Sequence, residues 1–294
     1  AAGVLVLQRR ASLPFAPSEV LLASALALSL IHVLADRRAP VPASRRVPGP
    51  ATRGARLDGE ALSPGRAHGR AVFLPSLDVD PPVREGSGTR TEVVMRSIER
   101  ITREVKRVRR AIGDQLSPDA RRHLSASALL LDDRRFVDEL LALVGRLGLG
   151  AGLRQVARDY ARSAVRASVR DHESAEWLGD RSEEVEDLCA LLRDGASHRT
   201  VLRKGAVLTL PDRLTPLVAL VAAARHVGAI VVGAEVLGDA PGVAVARAAR
   251  IPCVGHVVGL FSWTRQGDVL LVDGNKGVVK VDPPEREIAA LRAR

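Results

Sequence analysis

At 294 residues the chain exceeds what one hydrophobic core usually fills, so more than one folding unit is expected; 46% apolar content supplies those cores, and 2% aromatics makes them aliphatic. Six of the ten net positive charges come from Arg37, Arg38, Arg45, Arg46, Arg53 and Arg56, in a stretch without an acid, which leaves +4 for the rest. Arginines interspersed with Asp and Glu, and almost no aromatic rings to stack on bases, argue against a nucleic-acid partner. Cys189 and Cys253 lie far apart with no ligand spacing, as expected of a reduced, cytoplasmic protein.

The opening AAGVLVLQRR has no initiating methionine and reads as the middle of a strand, the expectation for a piece of a longer chain. After a turn through Pro14 and Pro17, Ser18 can cap a helix, with Glu19 favourably placed at its N-terminus. The apolar interior of that helix is about 16 residues, short of the ~20 that span a bilayer. It is bounded by Glu19 and Asp36 and contains His32, so a buried helix is expected and membrane attachment is the weaker reading. Strand, turn and terminal helix over residues 1–35 resemble the closing elements of a GAF sensory domain. Residues 36–56 are rich in Pro and Arg without apolar period, and read as an extended linker.

In LDGEALSPGRAHGRAVFL, Ser63-Pro64-Gly65 is a turn signal, and the alternation around it predicts a hairpin ending in Ala71-Val72-Phe73-Leu74. The spacing Gly59, Ser63-Pro64-Gly65, Ala67, Gly69, Ala71 resembles the opening of enzyme I of the phosphoenolpyruvate-dependent phosphotransferase system. With a GAF-like tail before it, the pattern points to the nitrogen-related branch. His68 falls inside this pattern and reads as a turn-exposed residue.

Residues 88–195 are predicted helical. Val94, Ile98, Ile101, Val105, Val108 and Ile112 recur at spacings of three and four, one apolar seam with a solvated charged face behind it. Ser117-Pro118-Asp119 supplies an N-cap, Pro at N1 and an acid in the first turn of the next helix. Two further helices are expected around 153–169 and 175–192. The segment SASALLLDDRRFVDELLALV and the pattern Asp180, Arg181, Val185, Asp187 are similar to enzyme I, whose helical insert docks a histidine phosphocarrier protein. On that resemblance the docking face includes Ser127, where the family usually has histidine, with Leu129, Leu130, Asp133 and Phe136. Read from periodicity alone, the apolar ones serve equally well as bundle core.

After Gly195 the period changes to strands at 206–210, 228–233, 268–273 and 277–282, the last two joined by hairpin chemistry at Gly274-Asn275-Lys276. A short helix begins at Thr215-Pro216, and the alternation predicts a small α/β unit. The fold class expected is therefore α/β plus an all-α insert. A swivelling phosphohistidine-type domain takes residues 57–87 and 196–294, a helical docking subdomain takes 88–195, and the end of a GAF-like domain comes before them.

The segment 228–255, GAIVVGAEVLGDAPGVAVARAARIPCVG, resembles the phosphohistidine segment of this family, which reads Thr-Ser-His, apolar residues, Ala-Arg, then Ile/Leu-Pro and Val-Gly. Ala246-Arg247 and Ile251-Pro252 match. Counting back from Arg247 puts the histidine at Pro241; counting forward from Gly228 puts it nearer Asp239. Pro241 has no nucleophile, and an acyl phosphate on Asp239 would normally need a metal and more acids than the neighbouring Glu235. His226 and His256 flank the segment and read as surface residues. Thr215 matches a family threonine that can orient the imidazole, and as a helix cap it needs no such role. Phosphoenolpyruvate and magnesium bind in the family to a separate barrel, so no cofactor or metal is expected within this chain. The resemblance implies a fragment or degenerate form of a phosphoenolpyruvate–protein phosphotransferase, with the phosphocarrier as partner and a homodimer formed through the missing barrel. The alternative is a non-catalytic module that docks the carrier.

Overall fold

A computed structural model describes residues 54–74, 77, 89–168, 172–196 and 201–292. The GAF-like and membrane-helix expectations for residues 1–35, and most of the linker, lie outside the described residues. The chain divides into two units, one of residues 50–156 and 184–294, the other of 1–49 and 157–183. In the second only 157–168 and 172–183 are described, both helical.

The first unit holds an eight-stranded sheet in the order β1-β8-β7-β3-β4-β5-β6-β2. Its strands are β1 (Ala55–Asp58), β2 (Glu60–Ser63), β3 (Arg66–Phe73), β4 (Val207–Leu210), β5 (Ala229–Val232), β6 (Cys253–Gly255), β7 (Val269–Asp273) and β8 (Val278–Val281). Strands β3, β4, β5 and β6 run parallel; β7, β8 and β1 continue antiparallel on one side, and β2 on the other. Strands β4 and β5 are buried throughout, as expected for parallel strands covered on both faces. Ala71, Val207, Val231, Val254, Leu270, Val272 and Val279 form the centre of the core.

Two sequence expectations change here. The 36–56 stretch is not linker to its end, because Ala55 and Arg56 already pair with Val281 and Lys280. Ser63-Pro64-Gly65 is not a hairpin turn: β2 pairs with β6 and β3 with β4 and β7, so the three residues carry the chain across the sheet. Gly65 has the positive φ (+122°) of a turn glycine, but its hydrogen bonds go to the β7–β8 turn. Gly65 N–H donates to Asn275 Oδ1 (3.1 Å) and accepts at its carbonyl from Gly274 N–H (2.8 Å). A Cβ at Gly274 would collide with the Ser63 carbonyl, so that close approach requires glycine.

The helices are α1 (Arg90–Ile112), α2 (Pro118–Asp132), α3 (Arg134–Leu147), α4 (Leu149–Ser168), α5 (His172–Ala196), α6 (Pro216–Ala224), α7 (Pro241–Ala248), α8 (Leu260–Trp263) and α9 (Glu285–Arg292). Helix α1 begins in a capping box of Thr89 and Glu92, and its predicted seam from Val94 to Ile112 is buried. Ser117 caps α2 by accepting from Ala120 N–H, with Pro118 behind it. Helix α6 is apolar all round and almost wholly buried, packed against α1 and α7. Helices α4 and α5 begin three to four residues earlier than periodicity suggested.

Candidate functional site

The loops leaving the C-terminal ends of β4, β5 and β6 meet in one place, where open α/β sheets form their ligand crevices. Gly233 N–H donates to Leu210 O (2.9 Å) and Ala234 N–H to Pro211 O (2.9 Å), joining the β5 loop to the β4 loop. On the other side His256 N–H donates to Ala234 O (2.8 Å) and Val257 N–H to Val232 O (3.2 Å). The loop 233–240 lies between them and delivers the chain to α7.

Helix α7 starts with Pro241 at its first turn, after Ala240, which is extended and offers no side-chain cap. A Cβ at Gly242 would collide with the Leu214 carbonyl, so the first turn of α7 lies directly on Leu214-Thr215. Ala246 is fully buried, and the Arg247 guanidinium donates to Leu62 O (2.7 Å) and Gly238 O (3.1 Å). The Ala-Arg pair therefore has a local reason: the small residue packs inward while the guanidinium fastens the 233–240 loop to β2.

Thr215 is the N-cap of α6, with Pro216 at N1, and its Oγ1 accepts from Val218 N–H (3.4 Å). The same hydroxyl donates to Asp187 Oδ2 (2.7 Å), a contact reaching across to α5. Arg213 lies 3.6 Å from Asp187 Oδ1, 2.6 Å from Glu186 Oε2 and 3.2 Å from Asp212 Oδ2. Burial raises the Asp187 carboxyl to about 7, and Arg213 and the Thr215 hydrogen bond only partly offset it. The two cysteines are buried; Cys253 is pushed up to about 12 and Cys189 further still, so both stay protonated, apolar side chains.

Pro241 sits half-buried at the start of α7 and Asp239 is exposed in the turn before it. Of the flanking histidines, His256 is brought to the base of the loop, exposed and with φ 51°. His226 is at the opposite end of β5, where its carbonyl accepts from Gly205 N–H (2.9 Å). His68 lies within β3, opposite Leu271. Leu237 on the loop, and Val258, Phe261 and Trp263 after β6, stand exposed, and Phe261 rests on Phe73 with ring centroids 5.4 Å apart. Sequence reading missed Phe261 and Trp263, because α8 is a single turn with too little length to show a period.

The five residues proposed for partner contact separate into two groups. Leu129 is 66% exposed, and Asp133 is exposed while capping α3 through Arg135 and Phe136 N–H. Ser127, Leu130 and Phe136 are buried. The Ser127 hydroxyl is hydrogen-bonded to Glu184 on α5 and lies 3.1 Å from its own helix's His123 carbonyl. Among the described residues no group of three or more His, Cys, Asp or Glu is placed to hold a metal ion, and no helix is long and apolar enough to cross a membrane.

Residues 58–177 match the family model described as PEP-utilising enzyme, N-terminal. Among solved structures, the chain is similar to the N-terminal domain of Enzyme 1 – Nitrogen, at 20% identity over 81% of this chain and all of that one, with a TM-score of 0.53. It also matches an NMR solution structure of Enzyme I (nEIt) at 18% identity, covering 81% of this chain and 97% of that one, with a TM-score of 0.45. No curated protein sequence matches. The mixed α/β architecture with its eight-stranded sheet is thus similar to an Enzyme I N-terminal domain.

Proposed function

We propose that this chain is the phosphocarrier-docking part of an enzyme I-type phosphotransferase whose own phosphoryl relay has lost its nucleophile. The observation that carries the reading is Pro241. Counting back from Arg247 puts the family's histidine at Pro241 and counting forward from Gly228 puts it nearer Asp239; Pro241 is an imino acid in the first turn of α7, which lies on Leu214-Thr215. Imidazole suits phosphoryl relay because its neutral nitrogen is nucleophilic near neutral pH. Neither Pro241 nor the exposed Asp239 has that chemistry.

On this reading residues 57–87 and 196–294 form the phosphohistidine-type domain, and 88–195 carry the docking helices. Carrier contact centres on Leu129 and Asp133, the exposed members of the proposed face. An exposed leucine ringed by charge has the composition of a small docking patch, an apolar centre with a polar rim. Phosphoenolpyruvate and magnesium would bind to a separate barrel, through which the family also dimerises. The nitrogen-branch reading is supported by the GAF-like sequence of residues 1–35 and by the likeness to the N-terminal domain of Enzyme 1 – Nitrogen.

The test has two arms. Titrating a histidine phosphocarrier protein into the labelled chain should shift amides of helices within 117–146; a titration that leaves them unmoved ends the docking proposal. Incubation with labelled phosphoenolpyruvate should leave no acid-labile phosphate on the chain; its appearance would show a working nucleophile.

A further inference from the structure

The face around Leu129 borders the basic half of α1. Asp132, one turn along α2 from Leu129, bonds to Lys106 of α1 (Oδ1 to Nζ, 2.9 Å). The stretch Arg103 to Arg110 holds the cations Arg103, Lys106, Arg107, Arg109 and Arg110 against one acid, Glu104. Arg107 donates to the Ala224 carbonyl of α6 (3.1 Å), and Glu104 is held by Arg225 (3.2 Å). Arg103, Arg109 and Arg110 lie three or four residues from Lys106, so they share its side of the helix. All three are exposed and have no ion pair among the described residues.

Arg134 and Arg135 follow Asp133 into the first turn of α3, exposed and equally unpaired among the described residues. Cations there oppose the helix dipole, so the stability of α3 does not account for them. The nearest acids in sequence are engaged. Asp132 holds Lys106, and Asp133 Oδ1 accepts from Arg135 and Phe136 N–H (3.0 and 3.3 Å). The unengaged acids come a turn away, Asp138 and Glu139 later in α3 and Glu99 before Arg103 in α1.

We propose that this face, whose docking role is the reading given above, recognises an acidic partner surface. Leu129 supplies the apolar centre, and carboxylates of the partner meet Arg103, Arg109, Arg110, Arg134 and Arg135. The planar guanidinium fork suits carboxylates, and exposed charges of one sign steer the encounter with the other. Phe136 is the one Phe, Tyr or Trp in α1, α2 or α3, and it is buried, which leaves no ring for a base to stack on. A carrier that docks here is therefore selected by charge, and one with a basic contact face is disfavoured.

The experiment titrates the ¹⁵N-labelled full chain with two histidine phosphocarrier proteins, one acidic and one basic around the active histidine. The acidic one should bind about tenfold tighter, and added salt should weaken it. Arg109→Gln with Arg110→Gln, and separately Arg134→Gln with Arg135→Gln, should each weaken it about threefold or more and leave the basic one no weaker. Asp133→Asn, which keeps the cap and drops the charge, should bind the acidic one at least as tightly. All these positions are exposed, and unchanged amides along the buried α1 seam show that the fold is kept. Equal or tighter binding of the basic carrier, or Gln variants that bind the acidic one like the parent chain, overturns the proposal and leaves docking in place. If neither carrier shifts amides within 117–146, the docking reading falls and this inference falls with it.

Discussion

Ala240 is the residue at which α7 is weakest. It has the extended conformation of an N-cap and no side-chain oxygen to serve as one. Ala240→Ser is expected to stabilise the chain by about 0.5–1 kcal/mol, measured by urea unfolding, because Ser at this position satisfies one orphan N–H. Gly242→Ala should do the opposite, by about 2–4 kcal/mol, since its Cβ meets the Leu214 carbonyl oxygen, which has no room to retreat. Asp187 gives a pH signature of definite sign. Its folded carboxyl titrates near 7 against an ordinary 3.8, so between those values the folded state holds a proton that the unfolded state lacks. Stability from this group is complete below about pH 4 and lost as pH rises through 7, with an upper bound of about 4 kcal/mol. Asp187→Asn should flatten that slope in chemical unfolding measured between pH 5 and 8.

At the scale of elements, some of the structure was legible from sequence and some was not. The seam of α1 and the caps Ser117 and Thr215 were legible because each is a local pattern with a local cause. Strands β4, β5, β7 and β8 fall within a residue of expectation for the same reason. The partners of β2 and β3 were not, since a Ser-Pro-Gly turn has the same local chemistry whether the next strand pairs back or crosses the sheet. The inward direction of Ser127 could have been found. Ala120, Leu124, Ser127, Ala128 and Leu131 follow one face of α2, and Leu129 is half a turn away. Leu129→Ala should therefore change stability by no more than about 0.5 kcal/mol while weakening carrier binding, whereas Leu130→Ala should cost about 2–5 kcal/mol in unfolding. Helix α5 is also tied near its C-terminus, where Arg225 pairs with Asp194 (3.0 Å) and with Glu104 of α1 (3.2 Å). Arg225→Ala leaves Asp194 buried without its cation, and a loss of about 3–5 kcal/mol is expected by thermal or urea unfolding.

For the molecule as a whole, the sheet's two outer strands have a temporal consequence. Both β1 and β2 come from nine consecutive residues, 55–63, yet one closes on β8 and the other on β6, some 200 residues later. A ribosome adding 5–20 residues per second needs roughly 10–40 s to deliver those partners. Until then neither β1 nor β2 has its native neighbour, and the sheet has no finished border on either side. The sheet thus closes only once residues 253–281 have been made, and they act as the closing stitch at both hems.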